Sequence, residues 1–303
     1  MTNGFEIINA EETGHSRIGI AHIPVVVNGL TMNIERTRRI VFYANELNIR
    51  TILLPHSLPY GPVLGFYNPL KLSKQELKKR FGISKNHLVQ KVFKFTSNTY
   101  GVNIFLPGIV EVSGHAIYHS TFLYTPLAED GNPFFQRKVF LSPVEEKLGF
   151  TRGRALSVFN LGGFSYGVLH DEEILIPELL RAFKLSGAST LILSASPLLQ
   201  NIERTVEVAK SLSYIFNRKL IIPGGFVIDE EGTTKHVTPS IVVSREGEII
   251  VKYERDNPSM IIVGEEPSRA PVEEFERVKA KLFSYLRDLF KLELNYGREG
   301  SPG

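Results

Sequence analysis

Short apolar runs and stretches of helical periodicity take turns along this chain. Residues 17–24 read as a buried strand, and Asn28 with Gly29 marks a turn. From Asn33, which is taken to open a helix, Ile34, Ile40, Val41, Ala44 and Leu47 recur at helical spacing. Residues 51–54 are a second short apolar strand, ended by Pro55. Strand, helix and strand at this spacing form a βαβ unit, whose parallel strands are buried on both faces. The pattern predicts an α/β protein with a largely buried sheet.

The rest of the chain extends that reading. Residues 57–69, rich in Pro, Gly and Tyr, read as a loop leaving the strand's carboxyl end. Residues 102–112 and 116–124 read as a hairpin turning at Ser113 and Gly114, with another turn over 126–132. Strands at 157–159 and 166–170 flank Gly162-Gly163, followed by a helix at 177–185, a strand at 190–193, a helix at 202–215 and a strand at 220–222. Residues 237–243 and 248–253 suggest a further hairpin joined through Arg245-Glu246-Gly247. A helix at about 272–292 carries Phe275, Val278, Leu282, Leu286 and Leu289 on one stripe, and the tail 295–303 is expected to fray. Without a Ser/Gly-rich linker or a break in composition, residues 1–303 are expected to form one domain.

Charge adds one local feature. Lys and Arg number 35 against 32 Asp and Glu, a net +3, which does not mark a nucleic-acid binder. There is no apolar run of 18 residues, and residues 1–14 carry acids where a secretory leader would be basic and then apolar. No membrane partner is expected, and the expected location is cytoplasmic. Residues 71–94, however, hold Lys71, Lys74, Lys78, Lys79, Arg80, Lys85, Lys91 and Lys94 against the single acid Glu76. Such a run is either a solvated helix face or a contact surface for an acidic partner.

Three landmarks carry chemistry. Ile52-Leu53-Leu54-Pro55-His56 ends the second strand; Gln136-Arg137-Lys138-Val139-Phe140-Leu141 follows the hairpin; and Gly167-Val168-Leu169-His170-Asp171-Glu172-Glu173 precedes Pro177-Glu178. In order and spacing, over about residues 17–253, these resemble the nitrilase (carbon-nitrogen hydrolase) superfamily. The resemblance implies a four-layer αββα sandwich of the nitrilase type. It puts His56 at the family's catalytic Glu, Lys138 at its Lys, Asp171 at its nucleophilic Cys and Glu146 at an auxiliary Glu. His119 stands where the family often has Asn. Lys210-Ser211 and Ser213-Tyr214 replace Arg-Ala and Glu-Asn pairs that brace the family's site.

The nucleophile and the base are therefore both replaced. In the family a thiolate attacks an amide or nitrile carbon, Glu moves protons and Lys stabilises the oxyanion. This chain has no cysteine, which also excludes disulfides and thiolate metal sites. A carboxylate attacking an amide would form a tetrahedral adduct that expels the carboxylate more readily than the amine, so the mixed anhydride that turnover needs would form poorly. One reading is a nitrilase-like protein without thiol-dependent turnover, acting as a binding or scaffold subunit. The other is a divergent hydrolase in which His56, Lys138, Glu146 and Asp171 drive water-mediated hydrolysis of a C–N or related bond. His170, beside Asp171 on a strand, should face the opposite way. No cofactor is implied, and no metal site is assigned, because His56, His119, Glu146 and Asp171 show no close ligand spacing. The resemblance also implies a homodimer packed through the helix at 177–185, with Ile176, Leu179, Leu180 and Phe183 available to bury.

Because no thiol is present, amide hydrolysis by the purified protein should show no component abolished by an alkylating reagent such as iodoacetamide. Loss of turnover on such treatment would contradict this reading.

Overall fold

A computed structural model of the chain describes residues 5–11, 16–61, 72–128, 132–196 and 202–267. Its strands form two large sheets and a small one. The seven-stranded sheet runs β1 (Glu6–Asn9), β16 (Ser259–Gly264), β2 (Arg17–His22), β4 (Thr51–Leu53), β5 (Asn103–Ser113), β6 (Ala116–Tyr124) and β7 (Phe134–Arg137). The six-stranded sheet runs β15 (Ile249–Tyr253), β14 (Ser240–Val243), β11 (Lys219–Ile222), β10 (Thr190–Ser194), β9 (Phe164–His170) and β8 (Val158–Leu161). The third pairs β13 (Thr234–Thr238), β12 (Gly225–Ile228) and β3 (Pro24–Val26).

Period-2 alternation sorts the strand residues into separate cores. Ile20, Leu53 and Phe105 of the first large sheet meet Val168, Ile192 and Ile221 of the second, so these faces close on each other. Their neighbours Ala21, Ile52 and Ile104 point outward, against α1 (Leu30–Glu46) and α3 (Leu88–Tyr100). Leu169, Leu191 and Leu220 point outward from the second sheet, against α5 (Pro177–Leu185) and α6 (Ile202–Phe216). The result is the expected αββα sandwich, buried on both sheet faces.

Several expectations are corrected. Helix α1 starts at Leu30, before Asn33. Asn33 is buried, accepting from the Val26 amide at 2.9 Å and donating to the Val26 carbonyl at 2.8 Å, so it ties the helix to β3 instead of capping it. The strand expected over 237–243 is cut at Pro239, which has no N–H for a ladder. Its halves, β13 and β14, join different sheets. Strands β1 and β16, which the sequence reading did not assign, pair in parallel at the sheet's edge. The basic segment folds into α2 (Lys74–Phe81) and the start of α3, with Leu77, Phe81 and Phe93 turned inward and Lys74, Lys79, Arg80, Lys85, Lys91 and Lys94 exposed. The helix expected at 272–292, the tail 295–303 and Lys71 lie outside the described residues.

Close packing between β9 and α5 yields a test. A Cβ on Gly167 would lie 2.6 Å from the Phe183 ring. Gly167→Ala should cost roughly 1–3 kcal/mol by overpacking, read by urea unfolding, and Phe183→Leu in that background should restore part of the loss. An unchanged midpoint for Gly167→Ala would refute this account of the contact.

Candidate functional site

The landmarks meet where β4, β7, β9 and β10 end. His56 follows β4, Lys138 follows β7, Asp171 follows β9 and Ser194 closes β10. Chain geometry forces the convergence. Gly108 sits in an irregularity of the β5–β6 ladder with φ +73°, and a Cβ there would come within 2.6 Å of the His56 ring. Only glycine combines that backbone with room for the imidazole. Asp171 also has positive φ, +49°, at the head of a 3-10 turn, Asp171–Leu175. Glu173 in that turn accepts the Val139 and Phe140 amides at 2.6 and 3.0 Å and the His170 amide at 2.9 Å. This carboxylate therefore pins the segment after Lys138 to the segment before Asp171.

At the centre lies the Lys138 ammonium, 1% exposed. Its Nζ is 2.9 Å from Glu145, 3.2 Å from Asp171 and 3.3 Å from the half-exposed Glu172. The second oxygen of Asp171 accepts the Ser196 amide at 2.7 Å. His56, Lys138 and Asp171 are thus brought together, and Glu146 is not. Glu146 points to the surface and pairs with Arg152, while its neighbour Glu145 enters the site. The reason is a capping box: Ser142 and Glu145 bond reciprocally around the first turn of α4 (Pro143–Lys147), which turns residue 145 inward. The S-x-x-E spacing with Pro at N1 was a sequence signal for that choice.

Two histidines also stand closer to the centre than their spacing suggested. His119 Nδ1 lies 2.5 Å from Glu145 and 4.0 Å from Asp171, and its ring centroid is 5.3 Å from that of His56. Its Nε2 is buried without a hydrogen-bond partner among the described residues. His170 lies 5.2 Å from His119, ring to ring, and contacts Thr121 Oγ1 at 3.0 Å and Glu173 at 3.3 Å. Tyr60, in the segment after His56, packs on Phe81 and contacts His87 at 3.0 Å.

Burial works against each charge, and pairing overrides it. For Glu145, burial would raise the pKa, but the His119 hydrogen bond and Lys138 hold it well below the ordinary carboxylate range. Burial would raise Asp171 as well, but Lys138 together with His56 and His119 lowers it below its ordinary value. Burial opposes the Lys138 charge too, and Asp171, Glu145 and Glu172 together push its pKa above the usual lysine value. Burial lowers His56 to about 3, only partly offset by Asp171. His56 is therefore neutral and weakly basic, with Nδ1 2.9 Å from Ser194 Oγ. Donor atoms of His119, Glu145 and Asp171 lie within 4.8 Å of one another, but the Lys138 ammonium already sits between the two carboxylates. A divalent ion would have to share that position with a fixed positive charge, so the donor set does not fit one.

Comparison with solved structures shows the same fold. An amidase of the nitrilase superfamily from Nesterenkonia AN1 aligns at 16% identity with a TM-score of 0.65, covering 85% of this chain and 92% of that one. The same amidase in complex with butyramide aligns at 16% identity and TM-score 0.64, covering 85% and 93%. A third structure, with the acetamide moiety of fluoroacetamide added covalently at the active site cysteine, aligns at 16% and 0.64, covering 85% and 92%. No family model and no curated protein matches the chain.

The ion cluster predicts strong coupling. Lys138→Met should cost roughly 3–5 kcal/mol by stranding the buried Glu145 and Asp171, and Asp171→Asn, which keeps a residue tolerant of positive φ, should cost less, because Glu145 still meets the ammonium. Their double-mutant cycle should give a coupling above about 1 kcal/mol; a value near zero would mean that the pair does not hold the site.

The site also sets a pH profile. Neutral His56 and the buried His22, lowered by burial to about 4, leave their unfolded forms to bind protons first. Their stabilisation is complete above pH 6.5 and is lost as pH falls toward 4 and 3. At pH 4 each should cost roughly 3 kcal/mol. The depressed carboxylates of Asp171 and Glu145 add to the loss below their ordinary pKa values, and the raised Lys138 removes stability only above its own. Urea midpoints should be level from pH 7 to 9 and fall steadily below 6.5, less steeply in His56→Gln; a flat profile to pH 4 would contradict this.

Proposed function

We propose that this chain is a nitrilase-fold protein without amide or nitrile turnover that serves as a binding or scaffold subunit. The observation that carries the reading is the engagement of Lys138. The resemblance makes its ammonium the group that would meet a developing oxyanion, yet here it is satisfied by Glu145, Asp171 and Glu172. Catalysis of that kind needs a donor free to bind charge that appears only in the transition state. The alternative, water-mediated hydrolysis by His56, Lys138, Glu146 and Asp171, has less support, since Glu146 lies at the surface and His56 is a weak base.

As a scaffold, the protein is proposed to be a cytoplasmic homodimer. Among the described residues no helix is long and apolar enough to cross a membrane. The expected interface residues need revision, because Leu179, Leu180 and Phe183 are consumed in the chain's own core and Ile176 packs against it. Tyr214 and Ile215 on α6, 71% and 61% exposed, supply the apolar surface that supports self-association. The exposed lysines of α2 and α3 remain the candidate contact for an acidic partner.

Incubation with acetamide, propionamide, butyramide or butyronitrile should release no ammonia above the buffer rate. Release that disappears in Asp171→Ala would replace the scaffold reading with the hydrolase. Light scattering at micromolar concentration should give twice the chain mass, and Tyr214→Glu with Ile215→Lys should halve it; a monomeric wild-type mass would refute the dimer.

A further inference from the structure

Away from the ion cluster, a cavity of about 490 Å³ lies between α1, the Ile23-Pro24 step into β3, Phe5 just ahead of β1, and Pro258 just ahead of β16. That volume falls within the range of small-molecule sites. Phe5, Ile23, Ile40 and Tyr43 give it apolar walls, with the Phe5 and Tyr43 rings stacked at 5.7 Å and 20°. Its charged lining residues, Arg36 and Arg39, are both positive.

Arg36 is the anomaly. Its Nη1 is buried and has no hydrogen-bond partner among the described residues. Burial alone pulls the guanidinium below its ordinary pKa, with no carboxylate offsetting it. An Arg normally meets carboxylate or backbone oxygen when it is taken out of water, because an unpaired buried donor forfeits its hydration for nothing. Arg36 as a whole is half-buried, whereas the buried cations are fully met: Lys138 and Lys219 by carboxylates and Arg218 by the Ala188, Asn217 and Lys184 carbonyls. Among the described residues no acceptor meets this Nη1, so an anion entering the cavity would find a donor ready for it.

We propose that this cavity binds a small amphipathic carboxylate. The anionic head would accept from Arg36, with Arg39 at the rim adding charge, and a hydrocarbon or aromatic body would lie against Phe5, Ile23, Ile40 and Tyr43. A phosphate monoester fits less well, because a dianion sunk among apolar walls needs more donors than one buried guanidinium edge supplies. A neutral amide or alcohol would leave the guanidinium charge unmatched. This site is separate from the Lys138 cluster and does not depend on whether that cluster is silent.

The test is calorimetric titration of the full chain with straight-chain carboxylates from acetate to decanoate and with 3-phenylpropanoate, each beside the alcohol of equal length. Affinity should rise roughly tenfold for every two methylenes until the cavity is filled, and each alcohol should bind at least tenfold more weakly than its carboxylate. Arg36→Met should erase that preference while melting no lower than wild type, because it removes an unpartnered donor and keeps the stem. Arg36→Gln serves as a second variant should the methionine form fold poorly. No saturable binding by any carboxylate of the panel, equal affinity in the variants, or a lowered melting temperature in both would overturn the proposal.

Discussion

A lysine ammonium cannot be buried alone. In this fold that constraint falls on Lys138, whose nitrogen lies inside a closed set of acids, two of them, Glu145 and Asp171, as buried as itself. Losing hydration costs each ion several kcal/mol, so the charges hold only if geometry keeps them together. The surrounding structure supplies that geometry. A capping box orients Glu145, a positive-φ turn presents Asp171, and the backbone bonds of Glu173 fix the distance between the two chain segments that carry Lys138 and Asp171.

The apolar runs predicted only a buried sheet of an α/β protein, and the four-layer sandwich came from the resemblance; in the structure, alternation in β2, β4, β9, β10 and β11 serves two cores at once, Leu53 facing in while Ile52 faces out. What escaped was decided by single residues that break a period. Pro239 ends one ladder and sends the next residue to another sheet. His170 was placed opposite Asp171 by the period-2 rule, but that rule stops where the strand does. Asp171 already belongs to the 3-10 turn, so its side chain returns to the same region as His170. Strands β1 and β16 owe their place to parallel pairing at the sheet edge, a long-range choice that no local pattern encodes.

The site was legible to the same depth. Motif order located His56, Lys138 and Asp171, because each follows a strand and strand ends converge in an α/β sheet. It misplaced the fourth member by one residue, since spacing from Lys138 ignores helix phase. One position on a helix is a turn of about 100°, enough to move a carboxylate from Lys138 to Arg152. His119 was noted only for its place in the family pattern; in the structure its carbonyl accepts the Lys138 amide and its ring meets Glu145.

These features bear on chemistry through competition. A substrate oxyanion seeking Lys138 would have to displace Asp171 or Glu145, each already at hydrogen-bond distance and carrying a full charge. The displaced carboxylate would be left buried, with a penalty on the order of several kcal/mol. A transition state gains only from interactions made better than in the resting protein. Here the resting protein already makes them. The same ions that let Lys138 survive burial therefore consume the electrostatic reserve an oxyanion would need. On the proposed reading, an oxyanion could be served here only if the carboxylates around Lys138 changed as well.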